Sequence, residues 1–412
     1  MTAPDSDPDC YTPRVTEDAR ARWDRFKALT RAEPLPCALV DLDALEANVR
    51  AVTAPLRGSG KTLRIATKSV RCPDLVTRIR EAAGDVARGL MTYTAAETAY
   101  WAERGERDLL LAYPTARADA AEALARANAS GATAAVVVDS PEQLQPLAVV
   151  GRAQKVQLPV VLEVDVSWRP LGLVHIGVRR SPLRSVDDVV SLARQVSRTE
   201  GLRFHGVMAY EAQIAGVPDD GAAVRVMKNR STSDVAHTRA RVAAALRDAG
   251  LPATVFNGGG TGSVAACVRE PALTEVTAGS GFLDSHLFDR YRGLSLQPAA
   301  YFALQVVRRP APRLVTCHGG GYIASGAAGP DRLPIPALPD GLRLLGLEGA
   351  GEVQTPLETD GRSALSLGDP VFFRHAKAGE LAEHFAEYML VRGDRVEGRA
   401  TTYRGLGKCF LG

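Results

Sequence analysis

The stretch LRIATKSVRCPDL (63–75) runs apolar and then closes on Lys68. A lysine at the end of a buried strand is suited to amine chemistry: where water is partly excluded its pKa falls, and the neutral amine can condense with an aldehyde. Taken singly, such a lysine equally suits a surface position, its stem along apolar neighbours and its ammonium in water. Two glycine-rich segments change the balance, NGGGTGS (257–263) and TAGSG (277–281). Glycines let backbone N–H groups approach an anion closely, and the hydroxyls of Thr261, Ser263 and Ser280 add donors, which is what a phosphate cradle requires. Either segment by itself also fits a tight turn. An amine for an aldehyde and a cradle for a phosphate are together the two needs of pyridoxal 5'-phosphate (PLP).

These residues cooperate only if the chain gathers them on one rim. Nine apolar, β-branched runs are candidate strands: CALVDL (37–42), LRIAT (63–67), ARGLMTY (87–93), DLLLAY (108–113), AAVVVD (134–139), PVVLEVDV (159–166), FHGVMAY (204–210), TVFNGG (254–259) and LTEVTAG (273–279). Between them lie helical patterns such as DALEANVRAVTAPL and TSDVAHTRARVAAALRDAG, which open on a capping residue or an early proline. Strands alternating with helices form parallel βα units, and eight units over roughly 250 residues is the size of a (β/α)8 TIM-type barrel. Nine candidates is one too many for closure, and a doubly wound sheet is the alternative. In a barrel the active site lies at the C-terminal strand ends, with phosphate held by the loops after the last two strands. Lys68, both glycine segments and Tyr210 then share a rim, with the cradle expected across the mouth from Lys68.

Beyond about residue 290 the texture changes. YFALQVVRRP, LRLLGLEGAGEVQT, GDPVFFRH and EYMLVRGDRVEGRATTY alternate apolar and polar residues between Gly and Pro turns, the pattern of an antiparallel β domain. The fold class expected is α/β: a (β/α)8 barrel over 34–292, a C-terminal antiparallel β domain over 293–412, and an N-terminal helical extension over 1–33 whose EDARARWDRFKAL packs against the C-terminal domain or elsewhere.

With 412 residues, 46% of them hydrophobic, the chain buries a large core. The formal net charge of +3 is scattered without basic blocks, so no nucleic-acid or membrane footprint is present and a small-molecule partner is favoured. The first residues, MTAPDSDPDC, are acidic where a signal peptide would be basic and then apolar, and a cytoplasmic protein is expected. Six dispersed cysteines (Cys10, Cys37, Cys72, Cys267, Cys317, Cys409) without a CxxC pair suit reduced thiols.

In this order along the chain, PCALVDLDALEANV, ATKSVRCPDL, MAYEAQIAG, NGGGTGS and EVTAGSG resemble the alanine racemase-type (fold type III) PLP enzymes. The similarity is nearest to the branch of D-threonine aldolase and D-serine dehydratase, including bacterial proteins of the amino acid deaminase/aldolase kind, and spans residues 34–412. It implies a homodimer with active sites near the domain and subunit interfaces, and an amino acid substrate. Lys68 is then the residue joined to the cofactor, Tyr210 and Gln213 lie close to ring and substrate, and Gly259, Gly260, Thr261, Gly279 and Ser280 hold the phosphate.

Three departures from the resembled pattern matter. Thr277 stands where many relatives place an arginine that reaches the pyridine nitrogen, which implies a weaker electron sink. In VDVSWRPLGLVHIGVRR, His175 falls at the usual arginine position and Arg169 lies upstream; both are candidates to bind substrate or cofactor, while Trp168 either lines the pocket or caps the rim. Where relatives hold a divalent ion through a His-x-Asp or His-x-Cys pair, the sequence is RHAKAGE. His375 is present, but Lys377 would repel a cation. The metal is expected to be absent, or held by His375 with Glu380 or by the Glu383/His384 pair, which frees His375 and Lys377 for acid/base work or for gripping an acidic substrate group.

The expected function is a PLP-dependent lyase acting on a β-hydroxy amino acid of D configuration. Deprotonation of the β-hydroxyl by His375 drives Cα–Cβ cleavage, whereas α-proton removal by Lys68 and loss of the hydroxyl gives a keto acid and ammonia. Cleavage ranks first because elimination leans harder on a metal and a strong electron sink. Three alternatives stay open: a racemase with Tyr322 or Tyr388 as second base, a non-catalytic PLP-binding protein, and a PLP-free barrel that binds a sugar phosphate.

Overall fold

A computed structural model describes residues 18–362 and 364–411; Cys10 and the start of the N-terminal extension lie outside them. Eight parallel strands close a barrel: β2 (Thr62–Ala66), β3 (Ala87–Thr92), β4 (Asp108–Leu111), β5 (Thr133–Val138), β6 (Leu158–Glu163), β7 (Leu202–Met208), β8 (Val255–Gly258) and β9 (Glu275–Ala278), with β9 pairing back onto β2. Closure leaves no edge strand, and β-branched runs such as TAAVVV on β5 are buried along nearly their whole length.

The surplus ninth candidate is the first one. Strand β1 (Cys37–Asp41) does not enter the barrel; it pairs antiparallel with β10 (Ala300–Ala311) and parallel with β16 (Glu387–Arg392). The second sheet is completed by β11 (Leu314–His318), β12 (Ile335–Leu338), β13 (Leu342–Leu344), β14 (Gln354–Thr359), β15 (Pro370–Arg374) and β17 (Arg395–Thr401), in the order β13-β14-β11-β10-β1-β16-β17 with β15 between β10 and β12. Its pairs are antiparallel apart from β1 with β16. A boundary at residue 34 therefore does not separate the two sheets. Asp41 makes the transition: its Oδ1 accepts from the Asp43 and Ala44 N–H groups and caps helix Leu42–Thr53, which lies against the barrel.

Helix Ala19–Leu29 docks on the second sheet. Trp23 and Phe26 are buried, Phe26 packs edge-on to Tyr301 and Phe372, and Trp23 Nε1 donates to the Pro370 carbonyl at 2.9 Å. Inside the barrel one side is apolar, with Leu110, Ala135, Val137, Val161 and Met208. The other carries a buried ion layer in which Arg64 binds both Glu275 oxygens at 2.6 and 2.8 Å and Asp108 at 2.8 Å. Gly89 makes room for it, since a Cβ there would stand 2.5 Å from Arg64 Nη1. The five described cysteines are unpaired, four of them buried or half-buried and Cys409 exposed. Among the described residues no helix is long and apolar enough to cross a membrane.

Candidate active site

Strand β2 ends in a 3₁₀ turn over Thr67–Ser69 that lifts Lys68 onto the barrel mouth, where its Nζ donates to Tyr113 Oη at 2.9 Å. The turn is fixed beneath the exposed side chain. Thr67 Oγ1 donates to the Met91 carbonyl at 2.9 Å, and Arg71 Nε donates to the Lys68 carbonyl at 3.0 Å. The second sheet presses on the same point: a Cβ on Gly379 would overlap the Lys68 carbonyl oxygen, so only glycine lets the segment Ala378–Leu381 lie this close. Arg71, which also pairs with Glu383 at 2.6 Å, ties that segment to the barrel.

The glycine loops follow β8 and β9 and interlock. Gly259 has φ +92°, a backbone region that favours glycine. Thr261 Oγ1 accepts from the Gly281 N–H at 3.1 Å, joining the two loops. A Cβ on Gly260 would stand 2.9 Å from Ala215 Cβ and 3.4 Å from Tyr210 Cε2, so the tyrosine ring lies along this loop. Because β9 neighbours β2, the cradle flanks Lys68 and does not face it from across the mouth: a Cβ on Gly279 would come within 2.9 Å of Ala66 and 3.0 Å of Ser69. Beneath the loops lies a wholly buried support. Arg239 pairs with Glu211 and, at 2.7 Å, with Glu270, while Glu211 accepts from the Gly259 N–H at 3.1 Å and from Ser263 Oγ. Burial alone would raise the Glu211 pKa; Arg239 and these donors outweigh it and hold the carboxyl below its usual range.

Other expected residues are placed less directly. Thr277 is buried inside the barrel, its Oγ1 accepting from Asn257 Nδ2 at 2.8 Å, and the same amide donates to Glu275 at 2.7 Å. Gln213 is buried and its amide donates to the Val166 carbonyl and Ser231 Oγ, a brace between loop and helix. Arg169 is held by Asp165 at 2.6 Å and Ser167 at 3.2 Å, and His175 Nε2 lies 3.1 Å from the Val178 carbonyl. Trp168 is half-buried and its backbone pairs with Ile176, closing the loop in which Leu173 and Val174 are exposed.

The rim also holds Tyr113, Glu163 and Arg180, which the sequence reading passed over. The charge of Arg180 acts on both Glu163 and Tyr210. Burial pushes the Tyr210 phenol up to about 12, so it stays a proton donor at neutral pH. Glu163 is 7% exposed, and burial, opposed by Arg180 and reinforced by Asp139 and Asp165, pushes its carboxyl up to about 7. Tyr113 and Glu163 carry the signal that marked Lys68, a polar group closing an apolar run.

A pH dependence follows. Below the unfolded-state pKa of about 4.3 both states hold the Glu163 proton; between there and 7 the folded state alone keeps it, so folding stability falls as pH rises and levels off above 7. The contribution is about 4 kcal/mol at most. Denaturant unfolding of cofactor-free wild type and Glu163→Gln at pH 5 and pH 8 is expected to show a smaller decline in the variant, and equal declines would refute the assignment.

In the second sheet, His375 is fully buried, and neither ring nitrogen has a partner among the described residues. Desolvation, with Arg374 and His286 adding to it, pushes its pKa down to about 3. Such an imidazole is a weak base, which counts against the expected deprotonation of a β-hydroxyl by His375. Lys377 Nζ donates to the Ser325 carbonyl at 2.7 Å and to Ser325 Oγ at 2.9 Å. Glu380 accepts from the Ser325 N–H, and Glu383 is taken by Arg71. Among the described residues no three His, Cys, Asp or Glu side chains gather as a metal cluster.

Residues 40–283 match the family model described as Alanine racemase, N-terminal domain. The chain is 28% identical over 302 residues to the D-threonine aldolase of an Arthrobacter species, covering 72% of this chain and 74% of that protein. It is 28% identical over 244 residues to the D-threo-3-hydroxyaspartate dehydratase of Delftia sp. (strain HT23), covering 59% and 60%. Among solved structures, D-threonine aldolase from Filomicrobium marinum superposes with a TM-score of 0.79 at 24% identity over 90% of this chain and 95% of that one.

Proposed function

Because the chain belongs to the family described as Alanine racemase, N-terminal domain, we propose that it is a PLP-dependent lyase of β-hydroxy amino acids, D-configured at Cα, with Cα–Cβ cleavage as its main reaction. The observation that carries this reading is the pairing of Lys68, presented on the rim by Tyr113, with the interlocked glycine loops after β8 and β9, the second of these on the strand next to β2. The fit to PLP is chemical: its aldehyde and its phosphate arm sit on adjacent ring carbons, and the amine on β2 stands beside the β9 half of the cradle. Lys68 would hold the aldehyde, and Gly259, Gly260, Thr261, Gly279 and Ser280 the phosphate. Bound there, the cofactor supplies an electron sink for the bond broken at Cα.

The chain's own groups divide the remaining work. Tyr210 stays protonated and donates, and Arg180 compensates carboxylates on the rim. Glu163, titrating near neutrality, takes the β-hydroxyl proton in place of His375. Similarity to an aldolase and to a dehydratase supports lyase chemistry; racemisation has less support, with Tyr388 fully buried and Tyr322 stacked on His384 at 4.5 Å. The assembly we propose is a homodimer acting in the cytoplasm, and light scattering measures the former.

The test is a product screen of purified protein with PLP against D- and L-β-hydroxy amino acids, recording aldehyde, keto acid and ammonia, with EDTA and manganese arms for metal dependence. Aldehyde with glycine from D substrates is the expected result. Ammonia without aldehyde would move the protein to the dehydratases, and interconversion of enantiomers alone would overturn the lyase reading. An acid limb of kcat/KM near pH 7 that persists in Glu163→Gln would remove Glu163 from the base role.

A further inference from the structure

We propose that the substrate carries a second carboxylate and that Lys377, with Arg332 beside it, receives it; this deepens the lyase reading and rests on it. The argument starts from where Lys377 is held. Its ammonium is tethered through two hydrogen bonds to Ser325, in the loop that follows β11. Two residues further on, Gly379 lies against the Lys68 carbonyl, so Lys377 is carried to the edge of the mouth by the same close approach that fixes the Lys68 turn.

Arg332 joins it on the same loop. The Ala324 N–H donates to the Arg332 carbonyl at 2.8 Å, and a Cβ on Gly326 would stand 3.0 Å from Arg332 Nε, so the guanidinium lies over the residue next to Ser325. Arg332 Nε is buried without a partner among the described residues, and its contact with Asp331 is long, at 3.5 Å. Burial draws the Lys377 ammonium below its usual range, an effect that Arg332 and Lys68 add to and Glu380 opposes. Glu380 is meanwhile engaged by the Ser325 N–H. This edge therefore carries two cations and two carboxylates, Glu380 bonded to the Ser325 N–H and Asp331 in only a long contact with Arg332.

The wall across the mouth has its charges matched: Glu163, Asp139 and Asp165 are grouped near Arg180, and Asp165 also holds Arg169 and Arg184. An amino acid lying between the walls, its amine at Lys68, would turn an anionic side chain toward Lys377. An ammonium with one N–H to spare and an unpartnered guanidinium N–H suit a carboxylate, and a neutral alkyl side chain would leave both unmatched. The substrate class is thus a β-hydroxy amino dicarboxylate.

Spectral titration of the PLP-loaded enzyme tests this without turnover, using D-aspartate and D-2-aminobutyrate, neither of which has a β-hydroxyl. In Lys377→Met the Kd for D-aspartate is expected to rise about ten- to a hundredfold, as for loss of a hydrogen bond to a charged group, while that for D-2-aminobutyrate changes less than about twofold. Lys377→Arg should retain the preference, and Arg332→Met should lose part of it. Equal weakening of both ligands would assign Lys377 to the α-carboxylate and overturn the proposal, as would no change for either. Wild type that responds to neither amine would instead refute the lyase reading, and one that binds both equally would refute only the dicarboxylate.

Discussion

Lys68→Ala is expected to lower turnover by on the order of 10³-fold or more and to abolish the visible absorption band of the lysine-bound cofactor. The protein should stay folded. Lys68 is exposed and its side chain donates to Tyr113, so truncation opens no cavity, whereas the turn beneath it is fixed by Thr67, Arg71 and Gly379. The expected loss is chemical, because under the proposed function the residue supplies both the covalent anchor and a proton-transfer group. Borohydride treatment followed by peptide mapping checks the same point: the label should fall on residue 68. A variant that loses less than tenfold, or a label elsewhere, would sink the assignment.

Arg239→Met is expected to destabilise the cofactor-free protein by about 3–5 kcal/mol, measured by urea unfolding. The cost arises from what stays behind. Glu211 and Glu270 are buried against one guanidinium, and without it two carboxyls face a dry interior. Glu211 also accepts from the Gly259 N–H, so the first glycine loop should slacken and PLP should bind more weakly in proportion. A second change, Glu211→Gln, should recover part of the stability, since residues in one network do not add independently. Loss of under 1 kcal/mol would show that water reaches these carboxyls.

The barrel and the strand-end position of Lys68 were legible because both write a local pattern: apolar runs at βα spacing, one of them ended by an amine. What was hidden depends on partners far along the chain. Strand β1 has the pattern of its barrel neighbours, and only its pairing with residues some 260 and 350 positions later assigns it to the other sheet. Arg180, inside a stretched loop, has no period to mark it, whereas Arg169 looked available but lies four residues from the Asp165 that holds it. Lys377 was noticed for its charge, yet its anchor is Ser325, 52 residues upstream. His375 matched a motif, and burial, which no motif records, is what weakens it as a base.

The lodging of β1 in the distal sheet bears on how the polypeptide emerges from the ribosome. Cys37–Asp41 leaves the exit tunnel ahead of the barrel and must wait until Ala300–Ala303 and Met389–Val391 have been translated before its backbone amides find their mates. Until then it is an unpaired edge, open to foreign strands. A gene fragment cut at residue 292 would strand it permanently, so a soluble, isolated barrel should be sought by starting downstream of β1 and not by ending upstream of β10 alone.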